Sequence, residues 1–382
     1  MSRLATMDAL VHDHAWIIGH SSFVATIDKV KIGERYYSSK PPMLSTIGAV
    51  IYKQLHLLTG LSFREDQALA VKVMSLLLGG VPHVLLLIYA YAFLAGLPLS
   101  PYVRLWSFAC FAFGRLGLAY ATTVNNHTPA ELAGFAAFYH ACGLRRGLLT
   151  KDWHWLAAGF AAGLAPTLDL GMLFVSSAIA LYLMSWDWRK TLTRFVPASL
   201  PPLVAHFALT YMISGSLRPI YLRRELYEYP GSYWLAPHGN DALDEPRLTY
   251  LFNMLIGHHG VLSMTPIIVF ALWAIWQAVF KEPRYRPEAL TVGAAFVLMV
   301  GFYAFTTKNY GGACVGFRWL MPITSLLFAF VPLWLSRNRS RFAAALFIVG
   351  ALVSQYNAIG ALRAPWQPSD WDRWLTSYSS SA

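Results

Sequence analysis

The sequence predicts an all-α, polytopic membrane protein of about ten transmembrane helices, preceded by an outer-face N-terminal loop of juxtamembrane helices. Composition comes first: 56% of the 382 residues are hydrophobic and 13% charged, against about 45–50% and about 25% in soluble domains. The second observation is the recurrence of apolar stretches near the length of about 20 residues that a bilayer crossing requires. The third is that many cations gather in alternate connections between those stretches, as the positive-inside rule expects of cytoplasmic loops. The chain divides into an outer-face loop over 1–67, a transmembrane domain over 68–361 and a tail over 362–382.

The first segment is organised. Leu4, Met7, Leu10 and Val11 share one helical face, with Arg3, Asp8 and His12 elsewhere, a pattern suited to a short helix lying at the membrane interface. A loop carrying Asp28, Lys29, Lys31, Glu34 and Arg35 follows. Pro41 and Pro42 can then open a second helix, because proline is tolerated in a first turn. Met43 to Leu58, interrupted by Lys53 and His56, is expected to lie along the membrane surface.

Apolar stretches then run near 68–96, 102–123, 129–143, 154–167, 169–186, 195–214, 258–281, 289–306, 320–336 and 342–361. The two flanking Pro166 to Asp169 are short, so they form either two spans or one broken hairpin. Arg104, the group Arg145, Arg146 and Lys151, the group Arg189, Lys190 and Arg194, the group Lys281, Arg284 and Arg286, and the group Arg337, Arg339 and Arg341 mark the cytoplasmic side. The first 67 or so residues, Asn125 to Thr128, Gly215 to Gly257, Thr307 to Met321 and the tail after Gly360 therefore face outward. Residues 1–41 contain no apolar segment able to carry them across, so one transmembrane helix is expected upstream of Met1, the other reading being insertion as a hairpin.

The formal charge of +11 is explained in part by loop orientation. No basic patch interleaved with base-stacking aromatics is present, which excludes nucleic acid as the partner. Cys110, Cys142 and Cys314 lie far apart, with no CxxC spacing for a metal and no disulfide framework.

Chemistry concentrates in Tyr36-Tyr37-Ser38-Ser39-Lys40-Pro41-Pro42, where a lone cation stands beside aromatic rings at a membrane face. Such a group suits capture of a lipid-linked phosphate; a lysine snorkelling near a helix end is the plain alternative. The order Arg3-Leu4-Ala5-Thr6, Trp16-Ile17, the Tyr36 to Pro42 stretch, an amphipathic helix and Gly60 resembles the first outer loop of GT-C glycosyltransferases of the protein mannosyltransferase and aminoarabinose transferase type. Asn125-Asn126-His127-Thr128-Pro129, and Tyr310-Gly311-Gly312 with Gly316-Phe317-Arg318-Trp319-Leu320-Met321-Pro322, are similar too.

The resemblance implies inverting transfer of a sugar from a polyprenyl-phosphate carrier, the donor partner, to an unknown acceptor at the outer face of the cytoplasmic membrane, with the lipid bilayer as surroundings. Lys40 matches the family's phosphate-binding lysine, where a cation steadies the charge that builds on the leaving group. The family's general base, an acid just before Ser2-Arg3, would fall at or before Met1; Asp28 is the substitute candidate within the chain, a solvated loop carboxylate being the commoner explanation. Asp8 and Asp13 read as exposed helix residues. Metal-binding members carry Glu before the lysine where this chain has Ser39, which places a divalent metal there in doubt.

Further substrate-binding candidates are Arg3, Tyr37, Asn126, His127, Lys308, Tyr310 and Arg318. Asn126 or Thr128 can equally cap the next helix, with Glu131 at its positive end. Gly311, Gly312 and Gly316 would let backbone approach a ligand beside Arg318. His258 and His259 read as interfacial residues, since adjacent side chains on a helix diverge by about 100 degrees. Arg115 could pair with Asp169, and the tyrosines from Tyr221 to Tyr233 with Trp234 either stack on a sugar or, the plainer reading, form an aromatic belt. Two rivals remain: a transporter of an anionic lipid, resting on Arg115 and the Pro166 to Asp169 break, and an inactive lipid-binding fragment.

Overall fold

A computed structural model describes residues 1–238, 241, 244–369, 371 and 373. The N-terminal segment is more deeply packed than an interfacial helix. Helix α1 (Ser2–Asp8) continues through a π turn, Ala9–Asp13, and stops at His14 in the left-handed region. A short antiparallel hairpin follows, β1 (Lys29–Ile32) and β2 (Arg35–Ser38), where a loop was expected. Gly33, at φ +59°, makes its two-residue turn. The register pairs Lys29 with Ser38 and Val30 with Tyr37, which puts Asp28 at the open end opposite Ser39 and Lys40.

Helix α2 (Pro42–Thr59) starts on proline, as expected, and ends at left-handed Gly60. Its Gly48 lets Met7 of α1 sit where a Cβ would be. Asp8, fully buried, accepts from Arg64 Nε at 3.1 Å, and Arg64 Nη2 reaches Asp13 at 2.7 Å. The expectation of exposure holds for Asp13 and is corrected for Asp8, which Arg64, returning from beyond α2, neutralises in the interior.

Each of the ten apolar stretches folds mainly as helix. Helices α3 (Gln67–Ser75) and α4 (Val81–Ala95) join through a π turn. Next come α5 (Pro101–Phe113), α6 (Gly117–Tyr120), α7 (His127–Arg145), α8 (Trp153–Leu168) and α9 (Met172–Met184). The short α10 (Trp188–Lys190) runs through a π turn into α11 (Val196–Ser214). A loop of 3-10 turns leads to α12 (Arg247–Leu255), α13 (Val261–Met264), α14 (Ile267–Lys281) and α15 (Arg286–Thr306). The chain closes with α16 (Met321–Phe328), α17 (Val331–Arg337) and α18 (Arg341–Arg363). Helix α18 passes the 361 boundary expected for the tail, and residues 374–382 of that tail lie outside the described residues.

Among the described residues four helical runs, 67–95, 188–214, 286–306 and 341–363, are long and apolar enough to cross a membrane. A fifth candidate is the pair bent by 45° at 318–328 and 331–337, and α9 and α14 are shorter apolar helices. Helix α7 does not need an apolar surface all round, because protein rather than lipid surrounds it: it packs on α4, α8, α9 and α16 and carries Glu131, His127 and His140 buried. Gly159 and Gly163 bring α8 against the backbone of Phe195 and Ser199, the small-xxx-small device of membrane helices.

Arg115 does not pair with Asp169. It sits in the bend between α5 and α6, donates from Nε to the Phe111 carbonyl at 2.8 Å and forms a buried ion pair with Glu131, its guanidinium lying over the Phe111 ring. Glu131 lies closer in the fold than Asp169, which other residues engage.

Candidate functional site

Four segments far apart in sequence meet at the N-terminal end of α7 and the C-terminal end of α8. The hairpin holds the first two groups: Lys40 Nζ lies 2.7 Å from Asp28 Oδ1. This works because the Ser39 amide donates to the Asp28 carbonyl at 3.1 Å, so the chain leaving β2 folds back over the residue entering β1. A quarter of the Lys40 side chain and a third of that of Asp28 stay accessible.

Helix α1 supplies Arg3, whose Nη2 donates to Asn126 Oδ1 at 2.7 Å. The start of α7 supplies Asn126 and His127. Neither Asn126 nor Thr128 caps that helix through its side chain; the Asn125 carboxamide does, accepting from the Thr128 amide at 3.0 Å. That correction matters, because capping by its neighbour frees Asn126 to donate to the Leu168 carbonyl at 3.0 Å and to Asp169 Oδ2 at 3.3 Å. His127 Nδ1 meets the same Asp169 oxygen at 2.6 Å. Asp169, placed where α8 ends after Pro166, was not singled out for the site. The helix break was the only sign of it.

Arg318 completes the cluster. Gly311, at φ +97°, gives it room, since a Cβ there would come within 2.9 Å of Arg318 Nε. Its guanidinium lies over the Trp366 ring at 5.0 Å, and its Nε is buried without a hydrogen-bond partner among the described residues. Arg318 and Arg3 both act electrostatically on Asp28 and Lys40.

The electrostatics follow from this crowding. Burial lowers the Lys40 ammonium below its ordinary value, and Arg3 and Arg318 push the same way against the opposing effect of Asp28. Burial also brings the Arg3 guanidinium down to about 10, with Asp28 opposing it. Burial would raise the Asp28 carboxyl, but the Lys40 charge and hydrogen bond, with Arg318 and Arg3 behind them, hold it below the usual carboxylate value. Of the three cations, Lys40 is paired with Asp28 and Arg3 feels both Asp28 and Asp169, so positive charge is in excess here.

The other candidates are distributed differently. Tyr37 packs with Val30, Ile220 and Leu226 and lines a narrow recess with Thr6, Ser38 and Lys40. Tyr310 is buried, donates to Glu245 and stacks on Tyr250 and His259, so it props the glycine turn behind Arg318. Lys308 is not brought to the cluster: it is largely exposed and pairs with Asp244 at 2.7 Å. His258 and His259 stand in a turn rather than on a helix, edge to face at 4.7 Å, because the chain bends between Gly257 and Gly260. Among the described residues no group of three His, Cys, Asp or Glu side chains converges.

The loop after α11 corrects the aromatic-belt expectation. Trp234 Nε1 donates to the Ile27 carbonyl at 2.9 Å, and Tyr36 meets Tyr229 edge to face, so the loop folds onto the hairpin. Burial pushes the Tyr227 hydroxyl up to about 12 beside Ser39 and Asp28, and Tyr221 also up to about 12 near Asp169. Both rings border the cleft.

Two crystal structures share this architecture. ArnT from Cupriavidus metallidurans bound to undecaprenyl phosphate superposes with a TM-score of 0.53 and 15% identity, covering 91% of this chain and 57% of that one. The apo form of the same protein gives 0.54 and 16% over the same shares. The chain thus shares the fold of the matched part of ArnT and spans a little over half the length of these structures. No family model and no curated protein matches it.

Proposed function

We propose that the protein transfers a sugar from a polyprenyl-phosphate carrier to an acceptor at the outer face of the cytoplasmic membrane. The observation that carries this reading is the convergence of Arg3, Lys40 and Arg318, from three remote segments, around an accessible carboxylate in a protein with this fold. As the acceptor oxygen attacks the anomeric carbon, the bond to the carrier phosphate breaks and its electron pair goes to the phosphate oxygen. Charge grows there, and preorganised cations bind it more tightly than they bind the donor. The solved ArnT complex holds undecaprenyl phosphate, which supports the same class of lipid here.

In this reading Asn126 orients Arg3, Tyr227 and Tyr221 shield the cleft, and Asp28 holds Lys40 in place until a phosphate takes over the ammonium. Released in that way, the Asp28 carboxylate is available to the acceptor hydroxyl as base. The transporter reading loses one of its two supports, since Arg115 is neutralised by Glu131 inside the bundle.

The test is a membrane assay with a radiolabelled polyprenyl-phosphate sugar. Label is expected in a non-carrier product, and Lys40→Ala is expected to lower its formation by about 100-fold or more, the scale of losing one donor to a developing oxyanion. Unchanged product formation in Lys40→Ala, or label that only changes leaflet, overturns the proposal.

A further inference from the structure

Resting on the phosphate-cradle reading, we infer that Asp28 is a specificity determinant that disfavours the phosphate monoester product relative to the phosphodiester donor. The argument begins with the two ligands. A sugar linked through phosphate to a prenol is a diester and carries one negative charge. The carrier left after transfer is a monoester, with a charge between about −1.5 and −2 at neutral pH and a second pKa of about 6. A cradle made only of Arg3, Lys40 and Arg318 would favour the more highly charged species and retain its own product.

Asp28 counters that preference by position. Its Oδ1 is 2.7 Å from the Lys40 ammonium, so any phosphate bound to Lys40 becomes a close neighbour of this carboxylate. The groups around Asp28 are Lys40 from its own hairpin, Arg3 from α1, Arg318 from the glycine-rich turn and Tyr227 from the loop after α11. Asp169, the other carboxylate of the cluster, is engaged by His127 and Asn126. Repulsion between fixed charges scales with ligand charge. A factor f against a monoanion therefore becomes f squared against a dianion, about threefold and about tenfold.

Asp28 also occupies the ammonium when the cleft is empty, so the ligand displaces an internal anion rather than water. Because a third of its side chain is accessible, the carboxylate can turn away without unpacking the core. The exchange swaps one contact to Lys40 for another. Product release reverses it, with Asp28 returning to the ammonium as the carrier leaves.

The test measures equilibrium binding to the detergent-solubilised full chain with two probes, undecaprenyl phosphate and its methyl diester. Wild-type protein is expected to bind them within about threefold of each other at pH 7.5. Asp28→Asn and Asp28→Ser are expected to tighten the monoester about tenfold and the diester about threefold. Asp28→Glu, which keeps the charge, is expected to restore the wild-type ratio. At pH 5, where the monoester is a monoanion, the advantage of Asp28→Asn for the monoester should fall to that for the diester. Equal effects on both probes at pH 7.5, or weaker binding in both neutral variants while Asp28→Glu stays wild-type, overturn the inference. Wild-type affinity of Lys40→Ala for both probes would instead overturn the cradle on which it rests.

Discussion

Two ion pairs in this molecule have the same chemistry and opposite surroundings. Asp28 and Lys40 meet in a partly accessible cleft, with 33% and 25% of their side chains accessible, whereas Arg115 and Glu131 meet inside the helical bundle with 1% and 0% accessible. In the bundle, each charge is tolerable only because the other is there, so the pair is fixed once the protein folds. In the cleft, water and incoming anions can substitute for either partner. The same pairing therefore serves as a permanent joint in one place and as an exchangeable contact in the other.

The contrast is easiest to break at the buried pair. Glu131→Ala leaves the Arg115 guanidinium uncompensated and is expected to destabilise the protein by about 3–5 kcal/mol, read as a lowered thermal midpoint in detergent. Arg115→Met combined with Glu131→Leu should recover most of that loss. If the single substitution were harmless, the bundle would not be sealed as described.

Next in size is the hydrogen bond that aligns Arg3. Asn126→Ala removes the acceptor 2.7 Å from Arg3 Nη2 and should weaken binding of undecaprenyl phosphate by about tenfold, since a bond to a charged group contributes about 1.5–3 kcal/mol. Removing the cleft pair itself should hardly affect folding: Lys40→Ala is expected to move stability by no more than about 1 kcal/mol. A Lys40 variant as unstable as Glu131→Ala would erase the distinction between the two pairs.

The smallest expected effect is on pH. The Asp28 carboxyl is held below its ordinary value, so its contribution is fully present above the unfolded value of about 3.9 and is lost as pH falls through the depressed folded one. The Lys40 ammonium is also lowered, so between its folded and unfolded values the unfolded chain binds more protons and stability rises with pH. The difference in thermal midpoint between wild-type and Lys40→Ala protein should therefore be flat from about pH 5 to 8, shift against the wild type as Asp28 is protonated on the acid side, and shift in its favour on the alkaline side.

Much of this was legible in the sequence because the residues concerned carry their signal locally. The Lys-Pro-Pro junction announces both a cation and a helix start, and α2 begins on Pro42. The three glycines before Arg318 announce a close approach, expected to be to a ligand, and at Gly311 it is the Arg318 side chain that comes close. What stayed hidden depends on distant partners. Nothing near Asp8 reveals Arg64, and nothing near Arg115 favours Glu131 over Asp169. The hairpin was readable in principle, since Lys29-Val30-Lys31-Ile32 alternates before a Gly-Glu turn. The loop tyrosines look like interfacial anchors by composition, and only the return of residues 220–235 over the hairpin brings Tyr227 beside Asp28.

The most direct test of the phosphate cradle is native mass spectrometry of undecaprenyl phosphate bound to wild-type, Lys40→Ala and Arg318→Ala protein. The account predicts a bound lipid in the wild type and at least about tenfold weaker binding in each variant, a loss of about 1.4 kcal/mol or more. Equal lipid occupancy in all three would contradict it.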